Sequence, residues 1–574
     1  MDGASGDGAP AEAAPTDVEP EPAPQAPLRQ DWPWPAAVPW LVVGFALVAW
    51  LGRVDLLTPD EARHAEIARE MLLDGNWLTP RIYGEPYYDK PALFYWLIGG
   101  SLALFGHHAW AARLPSVLAT AFTIAMGSWW IGRCWGRAAA NYAAIMMATT
   151  LFFVAVGRYV VVDMLLTAAL TGALSWLGVW MQCRDARRMA VWPLYVCTGV
   201  GLLAKGPVAA VVVAAVALVM AIFERRPRVL LELRPFTGAL LVLAVAAPWY
   251  VAAYILDPRY IETFLWHHNL ARFAVPGALE HQEPWYFYLV AVPICLLPWS
   301  MLLPSSLATA WRDPHGGVRH ALAWATVVIT FFSFSHTKLP TYVLAAFPPL
   351  IALMAAYVDD AVTGRVEMPR AIEAAAVGWT ILAATIAIAG AAWIFIDAPS
   401  AWARAVLALP SLLVAAWAYK NAHTAPSIFG ATAAGSLLLI AMVYGGAADA
   451  LNARESQRGA ADIVRAELPD YAALTSYRVA PHALAFYTRR PVRRADDPDT
   501  AVAELIAGAE GALLSKEKFL PELGLDPMPA WLRIVWSSGD GQVLVVGGSL
   551  AKRERRGDSD RWRRREGVEP SADR

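Results

Sequence analysis

Charged residues are scarce in this chain. Asp, Glu, Lys and Arg make up only 17% of its 574 residues, against about a quarter in an ordinary soluble domain. Hydrophobic residues make up 57% and come in long runs. The net charge of −2 gives the chain no overall positive potential, and no nucleic-acid recognition motif is visible. The composition is therefore that of a membrane protein, and nucleic acid is excluded as a partner.

Cysteine is scarce as well. The four cysteines lie in or beside apolar segments, without CxxC spacing or a Cys/His cluster of the type that binds zinc. Neither a disulfide framework nor a thiolate metal site is indicated. Residues 1–35 lack a basic secretory region, because Arg29 is their only basic residue, and they are rich in Ala, Pro and acidic side chains. We predict a disordered cytoplasmic tail there.

Long apolar runs occupy most of residues 36–446, and a spanning helix needs about 20 such residues. Fourteen segments qualify: 36–52, 91–106, 112–131, 138–156, 163–182, 190–204, 207–223, 236–256, 286–305, 321–335, 340–357, 372–395, 402–419 and 427–445. Arginine-rich loops at 133–137, 184–188 and 225–234 are predicted to be cytoplasmic. With these loops and the N-terminus inside, segment 36–52 ends outside and segment 112–131 starts outside. Residues 91–106 therefore cannot cross the membrane, and we predict that they form a re-entrant or surface-lying helix. An all-α polytopic membrane protein with about thirteen spans follows.

Two predicted outer loops, 53–111 and 257–285, are long enough to carry structure. In the first, Thr58 fits a helix N-cap and Glu61 completes a capping box, with the helix ending near Gly75. Asp60 then lies in the first turn, one turn before Arg63. One interpretation is structural: Asp60 complements the helix dipole and pairs with Arg63.

The composition changes after residue 446. Four stretches alternate or run as strands, namely 472–478, 483–488, 511–515 and the hairpin-like 532–547. Helical stretches near 455–467 and 500–508 separate them. We predict a small α/β soluble domain at 447–550 on the outer side, followed by a charged disordered tail at 551–574.

Other polar residues near Asp60 favour a functional interpretation of this aspartate. Tyr87, Asp89 and Lys90 share its loop, and Lys90 directly precedes an apolar helix, where a cation can hold a lipid phosphate. Asp163 lies at the outer start of a span, where an ionisable group is costly and indicates function. The alternative is an interfacial aspartate paired with Arg158.

The predicted topology brings charged residues from four segments to one aqueous face: Asp60, Asp163, Lys205 and Lys338. Carboxylates and phosphate-binding cations at one membrane face suit the transfer of a group from a phospholipid donor.

Four motifs, PDEARHAEIAREMLLDGNW, YYDKPALFYWL, GRYVVVDMLLT and HTKLPTYVL, together resemble a known family. They stand in the order and at the approximate spacing found in the lipid-carrier-dependent GT-C glycosyltransferases. The chain is most similar to the enzymes that transfer 4-amino-4-deoxy-L-arabinose to lipid A, which are relatives of the protein O-mannosyltransferases. The resemblance covers most of residues 36–357 and fades beyond them.

The resemblance implies roles for individual residues. Asp60 would be the main catalytic acid and Asp163 a second carboxylate, with Glu61 a further candidate for which the capping interpretation is favoured. Carrier-phosphate ligands would be Arg63, Lys90 and Tyr342, with Tyr87 in the same pocket. Arg272, by its position on the second outer loop, is a further candidate ligand of the phosphate. The remaining pocket residues would be Asp89, Lys205 and Lys338. Asp89 and His64 stand where the family commonly has Glu and Tyr, which puts the sugar in question more than the reaction.

No cofactor is indicated by a clear motif. His267 and His268, on the second outer loop, could bind a divalent metal with Asp89. No metal-ligand spacing supports that site, and interfacial histidines are commonly structural.

The resulting prediction is an inverting glycosyltransferase of the bacterial inner membrane with its site on the periplasmic side. It would move 4-amino-4-deoxy-L-arabinose or a related sugar from undecaprenyl phosphate to lipid A. An alternative is a protein O-mannosyltransferase or another polyprenyl-phosphate-sugar transferase, with another envelope glycan or a protein as acceptor. A transporter is a further alternative, but it should show paired repeats and mid-membrane charges, and no repeat is visible.

Overall fold

A computed structural model describes residues 34–182, 187–270, 283–312, 315–394, 423–507 and 511–547, with Trp32 and a few positions between 413 and 420. The predicted tails, 1–35 and 551–574, lie almost wholly outside the described residues. So does most of the predicted apolar segment 402–419.

Helices dominate the first 446 residues. Up to residue 256 they are α1 (Val38–Val48), α2 (Asp60–Asp74), α3 (Leu93–Phe105), α4 (Ala109–Trp135), α5 (Arg137–Thr149), α6 (Leu151–Gly157), α7 (Val162–Gln182), α8 (Arg187–Lys205), α9 (Val208–Phe223), α10 (Val229–Glu232) and α11 (Pro235–Leu256). A small hairpin, β1 (Arg81–Ile82) with β2 (Glu85–Pro86), lies between α2 and α3.

The helical part continues to residue 446. It contains α12 (Pro258–Glu262), the π-helix Thr263–Leu270, α13 (Phe287–Cys295), the 3-10 helix Trp299–Leu302, α14 (Leu303–Arg312), α15 (Gly316–Phe334), the 3-10 helix Pro340–Ala346, α16 (Phe347–Val362), α17 (Arg370–Ile394), α18 (Ala425–Ala441) and the π-helix Met442–Gly446.

Six helices of the described residues are long and apolar enough to cross a membrane, or eight spans if two bent helix pairs count as one span each. The protein is therefore a multi-pass membrane protein. The predicted segments 138–156 and 286–305 are not straight helices: α5 and α6 meet at 69°, and α13 and the helices after it at 111°. Pro298 lies at the second bend, where it has no N–H for a continuing helix. Apolarity alone did not reveal these bends.

Helix α2 differs from the prediction at its start. It begins at Asp60, preceded by Pro59, and has no side-chain cap. Glu61 instead accepts the N–H of Leu57 at 2.9 Å, so the predicted capping box with Thr58 is wrong. The end is as predicted, because Gly75 adopts the left-handed conformation (φ 67°) that closes many helices.

The C-terminal part, residues 448–547, is an α/β unit. Its elements are α19 (Ala448–Glu455), α20 (Arg458–Glu467), β3 (Leu474–Tyr477), α21 (His482–Thr488), β4 (Arg493–Ala495), α22 (Pro498–Ala507), β5 (Ala512–Lys516), the 3-10 helix Glu517–Phe519, β6 (Leu532–Ser537) and β7 (Gln542–Gly547). The strand order is β4-β3-β5-β7-β6, with β3 parallel to β4 and β5, and β7 antiparallel to β5 and β6. The hairpin prediction for 532–547 is confirmed, whereas 483–488, predicted as a strand, is helical.

Two large hydrophobic cores hold these parts together. One lies among the membrane helices. The other joins α2 and α3 to the C-terminal unit, since Ala65 and Ala68 belong to the same buried cluster as Leu484 and Phe486. Helix α2 is therefore packed between the membrane helices and the C-terminal unit.

Candidate active site

A cavity of about 490 Å³ lies where α2, the start of α7 and the end of α8 meet. Its wall combines apolar side chains, such as Phe152 and Val162, with six charged ones: Asp60, Arg63, Asp89, Lys90, Asp163 and Lys205. Tyr342 also lines it. The structure thus brings together in one cavity seven of the residues that the sequence singled out.

The first ion pair comes from α2. Asp60 and Arg63 are one helical turn apart, and their side chains are directly paired. Both remain partly accessible, with 58% of the Asp60 side chain and 32% of the Arg63 side chain exposed. This pair can rearrange when a ligand enters the cavity, because an exposed pair contributes at most about 1 kcal/mol.

The second pair precedes α3. Lys90 Nζ lies 2.9 Å from Asp89 Oδ1, and the Tyr87 hydroxyl donates to Asp89 Oδ2 at 2.9 Å. The Tyr260 hydroxyl of α12 donates to the carbonyl of Lys90. Tyr87 does not line the cavity itself, but it orients the carboxylate that does. Burial raises the pKa of Tyr87, so its hydroxyl stays a donor at neutral pH.

The third pair joins α7 to α8. Asp163 is buried and paired with Lys205, whose Nζ also lies 4.1 Å from the centre of the Tyr342 ring. The structure does not show the alternative in which Asp163 pairs with Arg158. Arg158 instead donates to the carbonyls of Ala46 at 2.6 Å and Ala49 at 2.5 Å, near the end of α1.

Besides Tyr87, two predicted site residues of the described part of the chain lie outside the cavity wall. Glu61 is fully buried and binds Arg113 through two hydrogen bonds of 2.7 Å. Lys338 is buried, and its Nζ donates to the carbonyl of Glu283 at 2.7 Å. A catalytic role for Glu61 and a pocket role for Lys338 stay predictions, although neither side chain reaches the cavity in this arrangement.

The predicted metal site falls mostly outside what can be described. His267 and His268 lie in the π-helix Thr263–Leu270, but their side chains, and all of Arg272, lie outside the described residues. Within the described part of the chain, no group of three or more His, Cys, Asp or Glu side chains could hold a metal ion. The metal and the phosphate role of Arg272 stay predictions.

His64 and Tyr159 are among the cavity residues that were not assigned to the site from the sequence. His64 Nδ1 lies 3.2 Å from the Tyr95 hydroxyl. Burial, followed by the charges of Arg63 and Lys90, lowers the pKa of His64 to about 3, so it is neutral at physiological pH. Helical spacing was the available signal, because His64 follows Asp60 by four positions and so shares its face.

A second cavity of about 560 Å³ lies between α3, α4, α7 and α8. Its wall is almost wholly apolar and includes Trp96, Leu104, Phe122 and Leu165. The first cavity can hold a charged or polar group beside apolar surface, and the second can hold a hydrocarbon chain.

Comparison with known proteins agrees with this geometry. The dolichyl-phosphate-mannose-protein mannosyltransferase family matches residues 89–251. An undecaprenyl phosphate-α-4-amino-4-deoxy-L-arabinose arabinosyl transferase from Edwardsiella ictaluri is 35% identical over 324 residues, which are 56% of this chain and 58% of that protein. One from Pseudomonas fluorescens is 30% identical over 418 residues, 71% of this chain and 75% of that protein. Several other relatives are likewise matched over only 55–59% of their length.

The fold has a solved counterpart. The crystal structure of ArnT from Cupriavidus metallidurans bound to undecaprenyl phosphate superimposes with a TM-score of 0.73 at 22% identity, covering 90% of this chain and 99% of that one. Fold and cavity together define a polytopic membrane protein of the GT-C glycosyltransferase class. The extent of the Pseudomonas match identifies the family more closely. The chain belongs to the undecaprenyl phosphate-α-4-amino-4-deoxy-L-arabinose arabinosyl transferase family, which confirms the resemblance drawn from the four motifs.

Proposed function

We propose that this chain is an inverting glycosyltransferase that moves 4-amino-4-deoxy-L-arabinose, or a related sugar, from undecaprenyl phosphate to lipid A. The observation that carries the proposal is the convergence of three carboxylate–cation pairs in one cavity at the ends of apolar helices. Cations in that position can hold a carrier phosphate whose tail stays in the bilayer. The names of the relatives support this donor and sugar.

The proposed setting is the bacterial inner membrane, with the cavity on the periplasmic side. The N-terminal tail, residues 1–35, would be cytoplasmic, and thirteen spans would follow, with 91–106 re-entrant or lying on the surface. The domain at 447–550 would be periplasmic. The positive-inside distribution of arginines supports this orientation.

The charge balance of the cavity supports an amino sugar. Among the described residues, three carboxylates are matched by three cations, so a bound phosphodiester alone would leave that set with one excess negative charge. A protonated amino group on the same donor would cancel that charge, whereas a neutral sugar would not. One of the carboxylates could then bind the ammonium group, because a charge held in such a cavity requires a partner.

In the proposed reaction the acceptor oxygen attacks the anomeric carbon while the bond from that carbon to the phosphate oxygen breaks. The electron pair of the broken bond leaves with undecaprenyl phosphate. Arg63 and Lys90 would stabilise the charge developing on that phosphate, with Tyr342 as a further ligand. Asp60 would orient the acceptor and, if that is a hydroxyl, accept its proton. A phosphate acceptor would hardly need a base.

The test is mass spectrometry of lipid A and other envelope glycans from cells with and without the protein. Asp60→Asn should reproduce the deletion while leaving the protein inserted. Asp74→Asn, an exposed aspartate at the far end of the same helix, is the matched control. Loss of an amino pentose from lipid A in the deletion and in Asp60→Asn, but not in Asp74→Asn, supports the proposal.

Other outcomes redirect or overturn it. An unchanged lipid A with a sugar missing elsewhere would keep the reaction but move the acceptor to another glycan or to a protein. A missing mannose on a protein would favour the alternative suggested by the mannosyltransferase family match over residues 89–251. No glycan change in any fraction would overturn the transferase proposal and favour a transporter.

A further inference from the structure

The segment between α1 and Asp60 has no regular secondary structure, although it determines where α2 begins. We call residues 51–57 the connecting segment. Outside helices and strands, buried backbone N–H and C=O groups need other partners. Here many of the partners are side chains, and most of these side chains come from two different parts of the chain.

The membrane helices supply one set of partners. Arg113 of α4 donates to the carbonyls of Leu51 at 2.9 Å, Val54 at 2.6 Å and Asp55 at 2.9 Å. It also binds Glu61, the residue after Asp60. This set ties the connecting segment and the first turn of α2 to the start of α4.

The C-terminal unit supplies the other set. The Asn452 side chain accepts the N–H of Asp55 at 2.9 Å and donates to the carbonyl of Arg53 at 2.8 Å. The Tyr487 hydroxyl accepts the N–H of Leu56 at 2.8 Å. Two consecutive N–H groups of the connecting segment are thus bound by residues some 400 positions away in the sequence.

Asp55 adds a charged contact to this set. Its carboxylate is buried and accepts hydrogen bonds from Ser456 Oγ at 2.8 Å and Arg458 Nη1 at 3.1 Å. A buried carboxylate is strongly destabilising without such partners. The contact therefore favours the docked position of the C-terminal unit over one in which it is displaced.

We propose that the C-terminal domain is a positioning element of the active site, and that Tyr487 and Asn452 are positioning residues. By binding the connecting segment, they hold the start of α2 so that Asp60 and Arg63 face the cavity. This inference rests on the proposed function, and it assigns a role to a domain none of whose described residues lines the cavity. Misplacement of a catalytic group by about 1 Å can cost a hundredfold in rate, so such contacts matter for turnover.

The test compares two tyrosines of the same domain. Tyr487→Phe removes the acceptor of the Leu56 N–H. The same substitution removes the longer hydrogen bond that Tyr487 donates to Asp55 Oδ1 at 3.5 Å. Tyr477→Phe is the control, because the Tyr477 hydroxyl donates to Glu522 within the domain at 2.9 Å. We expect Tyr487→Phe to lower kcat roughly five- to tenfold, as for one full hydrogen bond, with the donor KM changed less than about twofold. Tyr477→Phe should leave both unchanged.

Hydrogen exchange of peptides covering residues 51–61 gives a readout that does not need activity. Exchange should be faster in Tyr487→Phe than in the wild type and unchanged in Tyr477→Phe. If Tyr487→Phe does not fold, Asn452→Ala can replace it, because this substitution removes the neighbouring contacts with Asp55 and Arg53. It should likewise lower kcat and speed hydrogen exchange in residues 51–61.

The results separate this inference from the proposed function. Unchanged exchange in the connecting segment, or a kcat equal to that of Tyr477→Phe, overturns the inference. A wild-type protein that transfers no sugar overturns the proposed function instead. In that case the exchange comparison still decides whether the C-terminal domain positions α2.

Discussion

The role of Glu61 can be decided by changing its partner, Arg113. Two hydrogen bonds of 2.7 Å join the side chains, of which 0% and 5% are exposed. Removing one partner of a buried pair costs about 3–5 kcal/mol, because the other charge stays buried and unpaired. Arg113→Met also removes the donor to three carbonyls, each worth about 1 kcal/mol. We therefore expect a loss of unfolding free energy at or above the upper end of that range.

The assay is unfolding of the detergent-purified protein, with transfer activity measured alongside. Arg133 is an exposed arginine at the other end of α4, and its guanidinium lies 4.4 Å from the centre of the Trp129 ring. Arg133→Met should therefore change stability by at most about 1 kcal/mol, as for an exposed cation–π contact. The double variant Arg113→Met/Glu61→Leu should recover only the part of the loss that comes from the unpaired charge. The three carbonyls still lack their donor, and the N–H groups of Leu57 and Val160 lose Glu61 as their acceptor. If Arg113→Met is as stable as Arg133→Met, the anchoring argument is refuted. If Glu61→Gln keeps full stability but loses transfer, Glu61 belongs to catalysis.

Three further predictions concern single charges. Lys90→Ala should raise the donor KM at least tenfold, as for a lost charged hydrogen bond, with a smaller change in kcat; steady-state kinetics with varied donor checks this. Lys205→Met should lower both activity and the unfolding midpoint, because Asp163 is left buried without its partner; Lys205→Arg should restore part of each. Burial lowers the pKa of His64 and of His482 to about 3. The unfolded chain takes up protons below about pH 6.5, so stability should fall as the pH drops from about 6.5 toward 3, by about 2 kcal/mol per histidine at pH 5. His482→Gln should flatten that fall in a pH series of unfolding measurements.

The sequence identified all six charged residues described in the cavity wall, but it indicated only one of their three pairings. Asp60 and Arg63 could be paired from helical spacing alone, because they lie one turn apart. Lys205 is 42 positions from Asp163, and only the packing of α7 against α8 brings them together. Arg158 was the nearer candidate in sequence, yet its guanidinium binds carbonyls near the end of α1.

The fold, too, could be predicted from the sequence only in part. Apolar length located the membrane helices, and a turn signal located the hairpin of β6 and β7. Apolar length could not show the 111° bend after α13, because a hydrophobic run has the same composition whether or not it is straight. Residues 483–488 were assigned to a strand since short apolar runs are ambiguous. They form α21, whose side chains are buried against α2 and the C-terminal unit.

The pairing within the cavity has a consequence for the order of events in the proposed reaction. Each of the six charged residues described in the cavity wall already has a partner of opposite charge, so a carrier phosphate must compete with carboxylates for these cations. The pair of Asp60 and Arg63 is the most exposed of the three and so the easiest to exchange. Phosphate binding at Arg63 would release Asp60 toward the acceptor. In this way donor binding itself would prepare the carboxylate that the second substrate requires.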